Sequence, residues 1–225
     1  MYFRQFFDPR SAAMSYLVAD PSSGQAVLID PNPDPCQALV FKALLAERRL
    51  ELALVLLTHA HGPVLDGVAD PYPGTAVVAG AVPNPGDGFR QAIDGEMLHF
   101  GNEAIRVIAT PGHTPASVSY LWHDRLFCGD ALELGGCTLA ERGEGDPGRL
   151  YDSVTTRLFV LSDEVLVFPG HDFHGRTVST IGEERRRNPF FLARSRDAFV
   201  AAFRARQQEA RARPAFAAAA LPVHH

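Results

Sequence analysis

Four places in this chain share one layout: a strand-sized apolar run ends, and a short loop carrying histidine or aspartate follows at once. They are Thr58-His59-Ala60-His61, Thr110-Pro111-Gly112-His113-Thr114, Gly129-Asp130 and Pro169-Gly170-His171-Asp172. Loops at strand ends are where a rigid sheet can gather side chains from distant parts of a sequence. Neutral imidazole and ionised carboxylate are the ligands of zinc and iron. Any one of these histidines alone reads as a hydrogen-bonded loop residue. Their joint occurrence points to a metal site. His99, His123 and His174 lack the layout and read as surface or supporting residues, and His224 and His225 read as tail.

The rest of the chain bounds what can be built around such a site. With 225 residues, 46% of them apolar and 21% charged, a sizeable core can be buried. We expect one domain over 1–213 and a flexible C-terminal tail over 214–225. The net charge is −5, and Lys42 is the only lysine among 21 basic residues. The longest basic run is Arg185–Arg187. A nucleic-acid surface is therefore not expected. No apolar run reaches the roughly 18 residues of a membrane span, and MYFRQFFDPR has no signal-peptide pattern. Three cysteines without a CxxC pair indicate neither a disulfide framework nor a cysteine-rich zinc site, and the expected compartment is the reducing cytoplasm.

Residues 1–130 read mainly as strand. Met14–Asp20 and Gln25–Asp30 form a hairpin pattern, and Leu52–Thr58 is an apolar run expected to be buried on both faces. A helix is expected from Asp34 or Pro35 to Arg49, with Leu39, Phe41, Leu44 and Leu45 as its apolar residues. A meander follows over Met97–Phe100, Glu103–Thr110, Ser117–His123 and Arg125–Cys128. Arg149–Leu161 reads as helix, Val165–Phe168 as a last buried strand, and Arg194–Arg213 as an amphipathic helix. Phe199 and Phe203 lie on one side of that last helix and arginines elsewhere. Such a helix can cover a pocket or a dimer interface, or simply pack by its phenylalanines in solvent.

THAH at 58–61, TPGHT at 110–114, GDAL at 129–132 and PGHD at 169–172 resemble the metallo-β-lactamase superfamily. MYFRQFFDP, YLVAD with AVLIDP, ATPGHTPASVSYL, GDP-x-x-LYDSV and FPGHD-x-x-GRTVSTIGEE-x-x-x-NP resemble its persulfide dioxygenase branch. The resemblance covers about residues 1–204. It implies an α+β chain folded as an αββα sandwich, two mixed β-sheets with helices on the outer faces and the metal at one edge. It also implies one Fe(II) per chain, held by His59, His113 and Asp130. The implied activity is oxidation of a small, glutathione persulfide-like molecule by O2 to sulfite and thiol. The implied partners are thus that persulfide and O2, with no nucleic acid or membrane, and the chain is a candidate homodimer.

The chain departs from the family in two places. The superfamily pattern is His-x-His-x-Asp-His, and here it reads His59-Ala60-His61-Gly62-Pro63-Val64. Pro63 and Val64 cannot bind metal, so a two-metal hydrolase is disfavoured while the iron set survives. His61 then supports the site or serves as a spare ligand, and His171 lines the pocket. If Pro63 opens a helix, Asp66 shares its face and is a candidate replacement for the missing carboxylate; otherwise it is an acid favoured by the helix dipole. The second departure follows the metal aspartate, where the family's two arginines are Gly135 and Leu139. A common lysine is His174. Arg142, Arg176 and Arg185 remain as cations for a substrate carboxylate. Cys137 reads as a small packing residue rather than a redox group. Two other readings remain. One is a glyoxalase II-like thioester hydrolase with one zinc, using His59, His61 and His113 with Asp130 nearby. The other is a degenerate homologue without turnover.

Overall fold

The computed structural model describes residues 1–60, 71–81, 88–137, 145–192 and 195–212. Among these, one six-stranded sheet runs in the order β1 (Tyr2–Phe7), β2 (Met14–Asp20), β3 (Gln25–Ile29), β4 (Glu51–Leu56), β5 (Ala76–Ala79), β6 (Phe89–Gln91). Pairing is antiparallel from β1 to β3 and parallel from β3 to β6. The second sheet contains β7 (Met97–Phe100), β8 (Glu103–Ala109), β9 (Val118–Trp122), β10 (Arg125–Gly129), β11 (Leu166–Pro169) and β12 (Ser179–Thr180). It is antiparallel except where β10 runs parallel to β11. Both sheets are mixed, as expected.

Period-2 alternation makes each strand serve two cores. Met14, Tyr16 and Val18 of β2 and Val27 and Ile29 of β3 face the second sheet. They meet Ile105, Val107, Val118, Tyr120, Trp122 and Phe127 there. The intervening residues, Leu17, Ala19, Ala26 and Leu28, face helix α1 (Pro35–Arg48). On the other side Leu126, Cys128 and Val167 pack under α2 (Pro147–Ser153), the π-helical turn Val154–Leu158 that continues it, α3 (Ile181–Arg187) and α4 (Arg196–Ala212). The result is the αββα sandwich.

Helix α1 begins where the sequence places it. The Asp34 side chain accepts from the Cys36 amide, and Arg49 closes the helix in the left-handed region at φ 54°. One expected apolar residue is wrong: Leu39 is exposed, and Ala38 takes the buried position beside Phe41, Leu44 and Leu45. Strand β4 also corrects an expectation. Only Val55 and Leu56 are fully buried, while Leu52, Ala53 and Leu54 are half-covered. The N-terminal strand β1 is not legible as a strand in the sequence. It pairs with β2 over six residues as a sheet edge, where half its side chains stay wet. Phe199 and Phe203 of α4 are buried and its described arginines lie at the surface, so this helix packs by its phenylalanines. Residues 214–225, expected as tail, lie outside the described residues, and so does residue 213. Among the described residues no helix is long and apolar enough to cross a membrane.

A polar clasp joins the sheets at the β2–β3 turn. Asp20 accepts from the Ser22 hydroxyl and amide and from the backbone and side chain of Asn102, in the β7–β8 turn. The Ser22 and Asn102 hydrogen bonds hold its pKa below the ordinary carboxylate value. A carboxyl whose folded pKa is depressed stabilises the fold above its unfolded pKa of about 3.9, and that contribution disappears as pH falls through the folded value. The Tm deficit of Asp20→Asn relative to wild type should be full at pH 7 and shrink below about pH 4. A deficit that stays constant across that range in a thermal-melt series refutes this role.

Candidate metal centre

Three strand ends meet at one edge of the sandwich. His59 follows β4, His113 follows β8 and Asp130 follows β10. His59 Nε2 lies 3.6 Å and His113 Nε2 3.5 Å from the same atom, Asp130 Oδ2. The two imidazole rings stand at 90° with centroids 5.0 Å apart. One ligand atom from each of the three residues lies within 4.8 Å of the others. Bonds of about 2.1 Å at roughly octahedral or tetrahedral angles separate donor atoms by about 3.0–3.5 Å. The spacing and chemistry of the set therefore fit one metal ion.

Asp130 is buried, and burial alone would push its pKa up. The charge of His59, the hydrogen bond and charge of His171, and the charge of His113 outweigh that. They hold the carboxyl well below the usual range. His171 Nδ1 lies 2.7 Å from Asp130 Oδ1. A carboxylate only accepts, so the ring nitrogen donates. Oδ1 is engaged by His171 and Oδ2 faces the two other histidines, which suits a carboxylate binding metal through one oxygen. His171 thus stands beside the set and holds the aspartate. Phe173 stacks on its outer face, rings 5.5 Å apart and 5° from parallel.

Behind His59 runs a relay that no motif in the sequence announces. Thr58 Oγ1 donates to Asp30 Oδ2 at 2.8 Å, and Thr58 N donates to Asp30 Oδ1 at 2.8 Å. Thr58 Oγ1 also lies 2.9 Å from His59 Nδ1. The hydroxyl's one proton points to Asp30, so His59 Nδ1 donates to Thr58 Oγ1, and Nε2, the nitrogen that faces Asp130, is the one placed to bind a metal. Burial raises the Asp30 pKa against the pull of His59 and of the two Thr58 hydrogen bonds. Asp30 sits at a positive φ of 48°, the bend that turns its carboxylate under β4. The available signal is the threonine immediately before His59 and the aspartate ending the neighbouring parallel strand. Thr58→Val keeps the shape but removes both roles of the hydroxyl. Metal affinity should fall about 10–100-fold in competition with a chelator. An unchanged affinity would show that the ring needs no such support.

The loops close on bare backbone. A Cβ on Gly170 would stand 2.5 Å from Asp130 Oδ1, so only glycine lets the Pro169-Gly170-His171 corner reach the aspartate. Tyr16, buried between the sheets, donates to Pro169 O at 2.5 Å and ties that corner to the core. The His113 corner is held by α2: Ser153 Oγ donates to Pro111 O at 2.7 Å, and Asp146 N donates to Gly112 O at 2.8 Å.

The remaining expectations divide. His61, Pro63, Val64, Asp66, Leu139 and Arg142 lie outside the described residues. Arg185 donates to Phe159 O and pairs with Asp163 near α2 and α3, so nothing brings it to the metal set. Arg176 lies beside Gly135, where a Cβ would be 3.5 Å from its Nη1. Its cation stands near the position whose family arginine is missing. His99 and His123 are exposed, and His123 pairs with Glu103. His174 is exposed and pairs with Glu133. Cys137 is buried and packed, its thiol pushed up by burial to about 12, which makes it inert.

No family model matches the chain. The mitochondrial persulfide dioxygenase ETHE1 of Homo sapiens is 36% identical over 193 residues, covering 83% of this chain and 74% of that protein. The crystal structure of ETHE1 from Myxococcus xanthus superposes with a TM-score of 0.83 at 40% identity, covering 91% of this chain and 90% of that one. A hydroxyacylglutathione hydrolase of Anaeromyxobacter dehalogenans is 37% identical over 169 residues, 71% of this chain and 61% of its own length. The sandwich, the converging strand-end ligands and these similarities agree: the chain belongs to the metallo-β-lactamase superfamily, in its persulfide dioxygenase branch.

Proposed function

We propose that this protein is a mononuclear non-haem iron dioxygenase that oxidises a small persulfide. The overall change is RSSH + O2 + H2O to RSH, sulfite and two protons, with the outer sulfur oxidised and O2 reduced. The observation that carries the reading is the ligand set, two imidazoles and one carboxylate at one edge of the sandwich. When bound, Fe(II) in such a set keeps positions open and supplies the electron chemistry that O2 requires. The chain's own residues hold and orient. His59 and His113 present neutral nitrogens, and Asp130 brings the one negative charge. His171 fixes the Asp130 carboxylate, and the Asp30–Thr58 relay fixes the His59 tautomer. Similarity to the persulfide dioxygenases over most of the chain supports the substrate class. Cys36, Cys128 and Cys137 are free thiols, in keeping with a reducing compartment such as the cytoplasm.

The test is metal analysis of anaerobically purified protein together with two assays. Glutathione persulfide should be consumed with O2 to give sulfite, at about one iron per chain. Stoichiometric zinc with thiol release from S-lactoylglutathione in the absence of O2 would replace this reading with the hydrolase. Absence of any bound metal would replace it with a homologue that has lost turnover.

A further inference from the structure

We propose that the open edge of the first sheet, strand β1, is a self-association surface. It pairs antiparallel with β1 of a second copy of this chain, on a two-fold axis at Gln5. Nothing in this pairing depends on the metal centre.

Among the described residues the sheet edges are β1, β6, β7 and β12. An exposed edge invites pairing with another chain, and short length, proline, lysine or a bulge blunts it. β6, β7 and β12 have three, four and two residues. β1 has six, without proline or lysine, and its register with β2 runs unbroken. The ladder also fixes which backbone groups β1 leaves open. Asp8 N donates to Ala13 O at 2.9 Å, so position 8 and the even residues before it turn their N–H and C=O to β2. Phe3, Gln5 and Phe7 therefore turn theirs to the open side.

Side chains select the register. Phe3 packs between the sheets, while Tyr2 and Phe6 pack under α1. Phe7 lies on the same face as Phe3 and is 47% exposed. A two-fold normal to the sheet keeps each side chain on its own face, so residues set opposite each other differ by an even number. Two such registers pair five residues of β1. One sets Arg4 against the partner's Arg4, like charges directly opposite. The other sets Gln5 against the partner's Gln5, Phe3 against the partner's Phe7, and Arg4 against the partner's Phe6. It exchanges about six backbone hydrogen bonds, all from the open row. It covers Phe7 with a ring and lays a guanidinium beside Phe6, which Arg4 of its own chain already overlies at 5.5 Å. Helix α1 adds to the same surface. Cys36, Val40 and Ala43 follow one another at helical spacing and are all exposed. Cys36 and Val40 line, with Phe6 and Phe7, an apolar groove at the end of β1. That side of α1 thus adjoins the open edge, and the two-fold brings the partner's α1 along it in the opposite direction.

The test is sedimentation of the full chain across concentration, with substitutions at the axis and a cross-link. The wild type should be a dimer at about 100 μM. Gln5→Pro removes an N–H that β2 does not use, yet by symmetry it deletes two intermolecular hydrogen bonds. The dimer dissociation constant should rise about 30-fold or more. Gln5→Lys sets like charges on the axis, should weaken the dimer too, and serves if the proline variant does not fold. In a Cys36→Ser background, which removes the exposed thiol, Gln5→Cys should form a covalent dimer on oxidation. The two Cα atoms at position 5 would be about 5.5 Å apart, inside disulfide range. Those of Arg4→Cys would be about 8 Å apart and stay unlinked. A monomeric wild type overturns the proposal and leaves the edge to some other strand. A dimer unmoved by folded Gln5 variants lies on another surface and overturns it as well. Cross-linking through Arg4→Cys but not through Gln5→Cys overturns the axis at Gln5.

Discussion

Asp130→Asn should strip the proposed iron site: iron should fall from about one per chain to below about a tenth, and persulfide-dependent O2 consumption should drop at least 100-fold. Losses of supporting residues around metal ligands already cost about 10–100-fold, and Asp130 is closer to the centre than any of them. One carboxylate faces His59 and His113 through Oδ2 and His171 through Oδ1. The amide keeps the volume but removes the negative charge. It also brings an N–H donor toward rings whose nitrogens would bind the metal of the proposed centre or already donate. The metal-free protein should be less stable as well. The Asp130 pKa is depressed in the fold, so its ionised form stabilises above the unfolded value of about 3.9, and the substitution forfeits that at neutral pH. Iron content and a melt of the metal-free form separate the two effects. A variant that keeps full iron and full turnover would remove Asp130 from the ligand set.

Gly112→Ala should cost about 4 kcal/mol or more, a Tm drop of roughly 8–16 °C for a chain of this size. It should also weaken metal binding. Gly112 has φ +145°, and a Cβ there would stand 2.3 Å from the Leu150 backbone nitrogen and Cα. Those atoms belong to α2, which is capped by Asp146 and packed through Leu150, with Val154 buried in the turn that continues it, so they cannot retreat cheaply. The corner must move instead, and the next residue is His113. Gly74→Ala is the control. Gly74 also has a positive φ, 82°, but no heavy atom lies within 4 Å, so the expected cost is only about 1 kcal/mol. Equal melting temperatures for the two variants would show that backbone strain, not the α2 contact, makes glycine necessary at 112.

The two Pro-Gly pairs are visible in the sequence as a shared layout before histidine, yet their reasons differ. Gly112 makes room for the backbone of a helix nearly 40 residues away, and Gly170 for the Asp130 carboxylate. Neither neighbour can be read locally. Arg176 and Arg185 look equivalent along the chain, two cations in the segment that follows Pro169-Gly170-His171. The fold sends Arg185 to Asp163 and Arg176 beside Gly135. Leu39 and Ala38 show the same limit within one helix, since a one-residue change of phase exposes the larger side chain.

By itself the sequence pointed to the class of fold through a family resemblance, and to the candidate ligand types through a local pattern. Apolar runs of strand length ending in His or Asp are a local pattern, and local patterns survive any arrangement of the sheets. The α1 cap at Asp34 and the burial of Phe199 and Phe203 follow from the same short-range rules. Tertiary structure alone decided which atoms meet. Asp30 reaches Thr58 because β3 and β4 lie parallel in one sheet, and Glu133 reaches His174 because the loops after β10 and β11 lie together. Hydrogen bonds and ion pairs act over about 3–4 Å. Separations of dozens of residues become contacts only after the sheets fix the register, and no periodicity in the chain encodes those partners.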